Sequence, residues 1–300
     1  MNYLCVDIGG SSMKYALMNE DAAINEKGRR ELNNVETCEG MLAAINSLYE
    51  ESGRPEGGIA VSYCGELNAD SGLLYNGGSY PFMAKHNLKE ELQNICKAPV
   101  SVENDGNCAA IAEMYQGNLT ECANAAVLIV GTGLAGALIF DHKLYRGTNH
   151  YAGLLSFMTA EISSPFSLNN MAARAVSANY LSSTYMQGKP SAKQMDGISF
   201  FKLVEEGDET ALDILERYCT NLANVVFNTQ LMLDVEKICI GGGISVQPLF
   251  REKLREAYEK IYSITPLQYI NPPKTDLVFC KDCNDANLIG ALYHHMNGRK

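Results

Sequence analysis

Residues 124–145 read "NAAVLIVGTGLAGALIFDHKLY", and the residues just after the glycines decide the fold. "GTGLAG" at 131–136 matches G-x-G-x-x-G, the dinucleotide fingerprint. That fingerprint needs a helix directly after the glycines and an acid at the end of the next strand. Here Ala137, Leu138, Ile139 and Phe140 continue as an apolar strand, and no acid stands in that context. The stretch therefore reads as strand, glycine turn, strand, rather than as the opening of a nicotinamide site. A nucleoside-triphosphate P-loop fares worse, because G-x-x-x-x-G-K-[ST] occurs nowhere in the chain.

The same pattern opens the chain. "NYLCVDIGGSSMKYALMNEDAAI", residues 2–24, is again an apolar strand, a glycine pair and an alternating strand. Gly9 and Gly131 hold equivalent points of the two hairpins, which predicts an internal duplication. The spacing predicts a helix over 38–53, with Met41, Ile45, Leu48 and Tyr49 on one face and Gly53 at its end. Strands are expected at 57–65 and 99–105, and helices at 88–96 and 108–117. A long helix is expected over 207–234, where Leu212, Leu215, Cys219, Leu222, Val226 and Leu233 fall near helical spacing. "EKICIGGG" at 236–243 is a strand meeting a triple glycine. Ser245 is then expected to cap a helix carrying Phe250, Leu254, Tyr258 and Ile261. A last helix covers 285–297. Strands alternating with helices indicate α/β architecture around central sheets.

A chain of 300 residues is long for one core, so two domains are expected. Apolar residues at 46% and charged residues at 20% are ordinary for a globular protein. The longest apolar run, 125–140, is interrupted by three glycines and a threonine, which rules it out as a membrane span. The N-terminus shows no basic region or hydrophobic signal core, so a cytoplasmic location is expected. A formal net charge of −11 argues against nucleic acid or an anionic membrane as principal partner. The ten cysteines are scattered, with Cys280 and Cys283 forming the only CxxC. No disulfide framework is expected from them, and one CxxC without partner ligands is a weak pointer to metal or redox chemistry.

Glycine lets the backbone approach a ligand closely and aim N–H groups at it. One such turn is merely a hairpin. Two related turns, together with the strand-terminal Gly241, Gly242 and Gly243, point to a nucleotide site. Thr132 adds a hydroxyl donor. Asp7, two residues before its glycine pair, is an acid placed to hold Mg²⁺ through water.

The ordered set "DIGGSSMK", "VENDGNC", "GTGLAGALI" and "CIGGGIS" resembles the ROK family of sugar kinases, within the actin and hexokinase-like superfamily. The resemblance runs from Asp7 to the final "NLIGALYH". It implies two ribonuclease-H-like α/β domains around a central cleft, with ATP, Mg²⁺ and a sugar between them. It divides the chain into residues 1–118 plus 284–300, holding sugar and phosphate, and residues 119–283, holding nucleotide and a dimer contact. By the same resemblance Gly9, Gly10, Ser11, Gly131, Thr132 and Gly133 hold phosphates, and Gly241, Gly242 and Gly243 line the nucleotide. Gly65, Asn76 and Gly78 fall on the sugar side. "YNGGSYPF" at 75–82 is similar to the zinc-less, β-glucoside kinase-like branch. A homodimer is the usual arrangement. ROK repressors carry a DNA-binding segment ahead of the first hairpin; the sequence opens on that hairpin, so a repressor role is not expected.

A sugar hydroxyl is a poor nucleophile that must lie in line with the γ-phosphate and give up its proton. In "VSVENDGNCAAIAE", residues 100–113, a carboxylate ends a strand beside a helix start. Asp105 is the expected general base. The resemblance makes Asn104 the group that hydrogen-bonds neighbouring sugar hydroxyls. The competing reading of Asp105 is a cap for a helix starting near Asn107. Glu103, on the other face of the strand, is expected to point away or support the sheet.

One family segment is broken. A Glu-x-Gly-His element usually binds the anomeric side of the sugar, followed by a cysteine-rich zinc site. In "GTNHYAGLLSFMTAE", residues 147–161, Leu154 stands for the glutamate and Phe157 for the histidine. Neither cysteine nor histidine lies between Tyr151 and Tyr218, so no structural zinc is expected. A polar grip on the reducing end becomes an apolar wall, suited to an aglycone or a second sugar ring. The expected function is ATP-dependent phosphorylation of the 6-hydroxyl of a hexose or β-glucoside. The alternative is a catalytically weak sugar-binding or regulatory protein.

Overall fold

The computed structural model describes residues 1–131, 133–159, 171–187, 195–281 and 285–298. Two compact α/β units emerge. Unit 1 comprises Met1–Thr120, Arg146–Ala152 and Asp285–Lys300; unit 2 comprises Glu121–Tyr145 and Gly153–Asn284.

Unit 1 begins with β1 (Asn2–Ile8), β2 (Ser12–Asn19), β3 (Ile24–Glu31), α1 (Cys38–Glu51) and β4 (Ile59–Tyr63). A short ribbon of β5 (Leu67–Asn68) and β6 (Leu73–Leu74) precedes α2 (Leu88–Cys96), β7 (Val100–Asn104) and α3 (Asp105–Gln116). The main sheet has the order β3-β2-β1-β4-β7. β1 and β2 pair antiparallel, while β1, β4 and β7 run parallel. β4 is buried throughout and β1 beyond its first residue, as parallel strands covered on both faces require. β3, "INEKGRRE", is half in water and closes the sheet edge with charge. In α1, Met41, Ile45, Leu48 and Tyr49 are buried as the spacing predicts. Thr37 caps the helix by accepting from Gly40 N.

Unit 2 repeats the plan. β8 (Ala125–Val130), β9 (Leu134–Phe140) and β10 (Lys143–Tyr145) form an antiparallel run. Helices α4 (Ala172–Ala175), α5 (Ala178–Gln187), α6 (Gly197–Glu205) and α7 (Glu209–Leu233) come next. β11 (Lys237–Gly241), α8 (Pro248–Tyr262), α9 (Thr265–Ile270) and β12 (Asp276–Phe279) complete the unit. The sheet order β10-β9-β8-β11-β12 matches that of unit 1, with two antiparallel pairings and then two parallel ones. The duplication expected from Gly9 and Gly131 is therefore a repeat of sheet topology.

On α7, Leu215, Cys219, Leu222 and Val226 are buried, joined by Ile214 and Tyr218, while Leu212 and Leu233 lie half-buried at the margin. Ser245 does not cap α8. Its hydroxyl donates to Gly242 O at 2.8 Å inside a 3-10 turn over Gly243–Val246, and α8 starts two residues after that turn, at Pro248. Proline needs no N–H partner at a first helical position, so the helix begins without a side-chain cap.

α10 (Ala286–Asn297) returns to unit 1 and packs on α3. Gly290 makes that approach possible, since a Cβ there would overlap the carbonyl oxygen of Cys108. Backbone cannot yield as a side chain can. Gly290→Ala is expected to lower the unfolding free energy by about 1–3 kcal/mol, read as a lower urea midpoint at unchanged slope. Among the described residues no helix is long and apolar enough to cross a membrane.

Candidate active site

The junction of β7 and α3 is built by its first three residues. Asn104 is the helix cap: its Oδ1 accepts from Asn107 N at 3.2 Å, and its Nδ2 donates to Gly65 O at 3.2 Å. Capping thus falls to the residue before Asp105, which occupies the first helical position. Asp105 Oδ1 accepts from Gly106 N at 2.8 Å. Burial pushes the Asp105 carboxyl up to about 7, the Asp7 carboxylate adding the next largest push and Glu66 a smaller one. The Gly106 N–H and the Asn104 side chain pull the other way. A carboxyl that releases its proton near neutrality can take one from an alcohol and pass it on.

Asp7, at the end of β1, is only 7% exposed. Its Oδ1 accepts from Ser62 Oγ at 2.7 Å, across the parallel pairing with β4, and from Asn287 Nδ2 at 3.1 Å on α10. Its Oδ2 has no partner among the described residues. A hard carboxylate oxygen, held by two donors on its twin and left open, fits a hydrated Mg²⁺.

The neighbouring turns belong to the same unit. Gly9 N donates to Ser12 O at 3.0 Å, and Gly9 O accepts from Tyr80 Oη at 2.9 Å. Gly10 lies against Ser79, and Gly10 and Ser11 are exposed at the tip. Gly65 lies against Tyr63, Asn76 and Gly78. Asn76 Oδ1 accepts from Gly78 N at 2.9 Å, and its amide donates to Glu66. Unit 1 therefore gathers Asp7, Gly9, Gly10, Ser11, Gly65, Asn76, Gly78, Asn104 and Asp105.

Sequence reasoning missed what anchors this junction. Glu103 is 1% exposed. Its Oε1 accepts from Asn104 N and Asn107 Nδ2, both at 2.9 Å. Its Oε2 accepts from Arg146 Nε at 3.0 Å and from a second guanidinium nitrogen at 2.5 Å. His294 Nδ1 stands 3.8 Å from the same oxygen. Burial holds the His294 imidazole below its ordinary value, with the Glu103 carboxylate opposing that trend. Strand alternation placed Glu103 on the far face, and a charge buried there demands a cation. Nothing in linear spacing pointed to Arg146, which comes after β10 in the chain yet belongs with residues 146–152 to unit 1.

Unit 2 gathers the remaining glycines. Gly131 N donates to Gly133 O at 2.9 Å, and Gly131 O accepts from Ala178 N at 2.8 Å. Thr132 and Cys283 lie outside the described residues. Gly242 has φ +96°, and a Cβ on it would overlap Val130 O, so the end of β11 passes directly over the end of β8. Gly241 packs on Ile129 and Cys280, and Gly243 opens the 3-10 turn. Leu154, half-buried, leads into a 3-10 turn over Leu155–Phe157, fixed by Ser156 Oγ donating to Leu134 O at 2.5 Å. Phe157 is 56% exposed.

The model of the ROK family matches residues 3–296. A β-glucoside kinase of Klebsiella pneumoniae is 29% identical, over 98% of this chain and 96% of its own. An N-acetyl-D-glucosamine kinase of Aliivibrio fischeri is 26% identical, over 86% of this chain and 89% of its own. The crystal structure of a ROK family protein from Streptococcus pneumoniae in complex with sucrose superposes with a TM-score of 0.86 at 27% identity, covering 100% of this chain and 99% of that one.

Proposed function

The chain belongs to the ROK family, and on that premise we propose that it is a sugar kinase transferring the γ-phosphoryl group of ATP to the 6-hydroxyl of a hexose or β-glucoside. The observation that carries this reading is Asp105: a carboxyl at a capped helix start, with its proton affinity raised to about 7, beside Asp7 and Asn104. In the reaction Asp105 accepts the hydroxyl proton as the oxygen attacks phosphorus. Asn104 orients the neighbouring hydroxyls, with Gly65, Asn76 and Gly78 shaping that side. Asp7 would hold a Mg²⁺ ion, which when bound would supply shielding of phosphate charge. Gly9, Gly10, Ser11, Gly131, Thr132 and Gly133 offer backbone and hydroxyl donors to phosphates, and Gly241, Gly242 and Gly243 border the nucleotide. The names of the Klebsiella and Aliivibrio relatives support a sugar as acceptor, and the sucrose bound to the Streptococcus protein supports it further. A cytoplasmic homodimer, joined through unit 2, belongs to the same proposal.

Leu154 and Phe157 favour a second reading, a sugar-binding protein of weak catalysis, because they replace the polar pair the family usually presents to the anomeric side. ADP release measured over a panel of hexoses and β-glucosides separates the two. Robust turnover on one of them eliminates the second reading, and sugar binding without ADP release eliminates the first.

The pH profile tests the base itself. Asp105 acts when deprotonated, so kcat/KM should climb with pH through about 7. Glu66 helps raise that carboxyl. Glu66→Gln is therefore expected to move the acidic limb to lower pH. A limb that stays in place or moves upward removes Asp105 from the role.

A further inference from the structure

Beyond Arg146, the 146–152 segment carries an aromatic contact that the assigned site residues do not use. The rings of Tyr151 and Tyr75 stack with centroids 5.8 Å apart and planes 7° from parallel. They border an open depression of ≈ 890 Å³, together with Leu73, Leu74, Lys85 and Asn149. That volume is in the range of small-molecule sites, roughly 300–1,000 Å³. Flat apolar faces stand next to one ammonium and one carboxamide. This pairing suits a pyranose ring, whose C–H face lies on an aromatic surface while its hydroxyls need donors and acceptors at the rim.

The same turn holds two local costs. His150 has φ +61°, in the left-handed region, and its Nδ1 is buried without a partner among the described residues. Its ring meets Tyr75 edge-on at 6.4 Å. Strain and an unsatisfied buried nitrogen persist where function retains them. The link to the reactive junction is short. Tyr75 N donates to Glu66 O at 2.9 Å, and the next residue, Asn76, bonds Glu66 and Gly78, both beside the Gly65 carbonyl that Asn104 grips.

We propose that Tyr75 and Tyr151, with Lys85 and Asn149, bind the second ring of a disaccharide whose first ring lies at Asn104 and Asp105. The position of the first ring rests on the kinase reading; the second-ring site is assigned from its own lining. Its residues are distinct from Leu154 and Phe157, and it binds through stacking.

Calorimetric titration of the whole protein with cellobiose and with glucose tests this, alongside ADP release on both sugars. Cellobiose is expected to bind more tightly than glucose. Tyr151→Ala should cut that ratio by about tenfold, the effect of losing roughly 1.4 kcal/mol, whereas Tyr151→Phe, which keeps the ring, should preserve it. Far-ultraviolet circular dichroism confirms that the variants are folded. A cellobiose-to-glucose ratio near one in the wild type, or one indifferent to Tyr151→Ala, overturns the subsite. Glucose turnover alongside such indifference leaves the kinase reading standing. Tyr151-dependent cellobiose binding without any ADP release leaves the subsite standing and removes the kinase reading.

Discussion

Asp105→Asn is expected to lower kcat by about 10²–10⁴-fold, with the KM for sugar changed far less. Asparagine keeps the side-chain shape and can still accept from Gly106 N, so the α3 start should survive. What disappears is the proposed acceptor for the hydroxyl proton. The same substitution should raise stability, with a definite sign in pH. The carboxyl releases its proton near 7 when folded, against 3.8 for the free group. Its raised value favours the folded state fully below the unfolded value, and that contribution is lost as pH rises through the folded one. At about pH 8 the asparagine variant should therefore be more stable by roughly 2–4 kcal/mol, and the difference should vanish below about pH 4. Urea unfolding at the two pH values reads the stability, and initial rates of ADP release read the activity. Full activity in the variant, or a variant less stable at high pH, would remove the assignment.

Arg146→Met should produce the largest loss of stability. Glu103 is almost wholly buried, and Arg146, with 26% of its side chain exposed, supplies two of its hydrogen bonds. Removing one partner of such a pair strands a charge away from water, at a cost of about 3–5 kcal/mol. The loss should fall toward the lower figure because the guanidinium is partly solvated. The stranded carboxylate also holds Asn104 N and Asn107 Nδ2, so the junction that presents Asp105 should loosen and kcat should fall. Adding Glu103→Gln removes the stranded charge and should restore part of the stability, a coupling that a double-mutant cycle measures. A loss below about 1 kcal/mol would class the pair with ordinary surface ion pairs.

The hairpins were legible because a glycine pair between apolar strands has one economical geometry, and because the pattern recurs at Gly131. Residues 38–53 and 207–234 were legible because apolar side chains recur every three or four positions on a face that needs burial. Asp105 stood out as a charge at a strand end. β3 did not, since "INEKGRRE" shows water one side and has too few apolar residues to mark a period. β12 is only four residues long, and its register comes entirely from β11. The Glu103 anchor was invisible for a different reason: its cation is supplied by a segment from the far side of β8 to β10, and chain order carries no trace of that meeting. Ser245 misled because a serine near a helix start has two local uses, and the glycine turn took it first.

One consequence of α10 concerns how the molecule is made. The helix that seats Gly290 on Cys108 leaves the ribosome only after all of unit 2 has been synthesised. Until then the opening stretch of polypeptide has a bare hydrophobic side on α3 and cannot finish folding, although it was translated first. Completion of unit 1 should thus wait for the translation of unit 2.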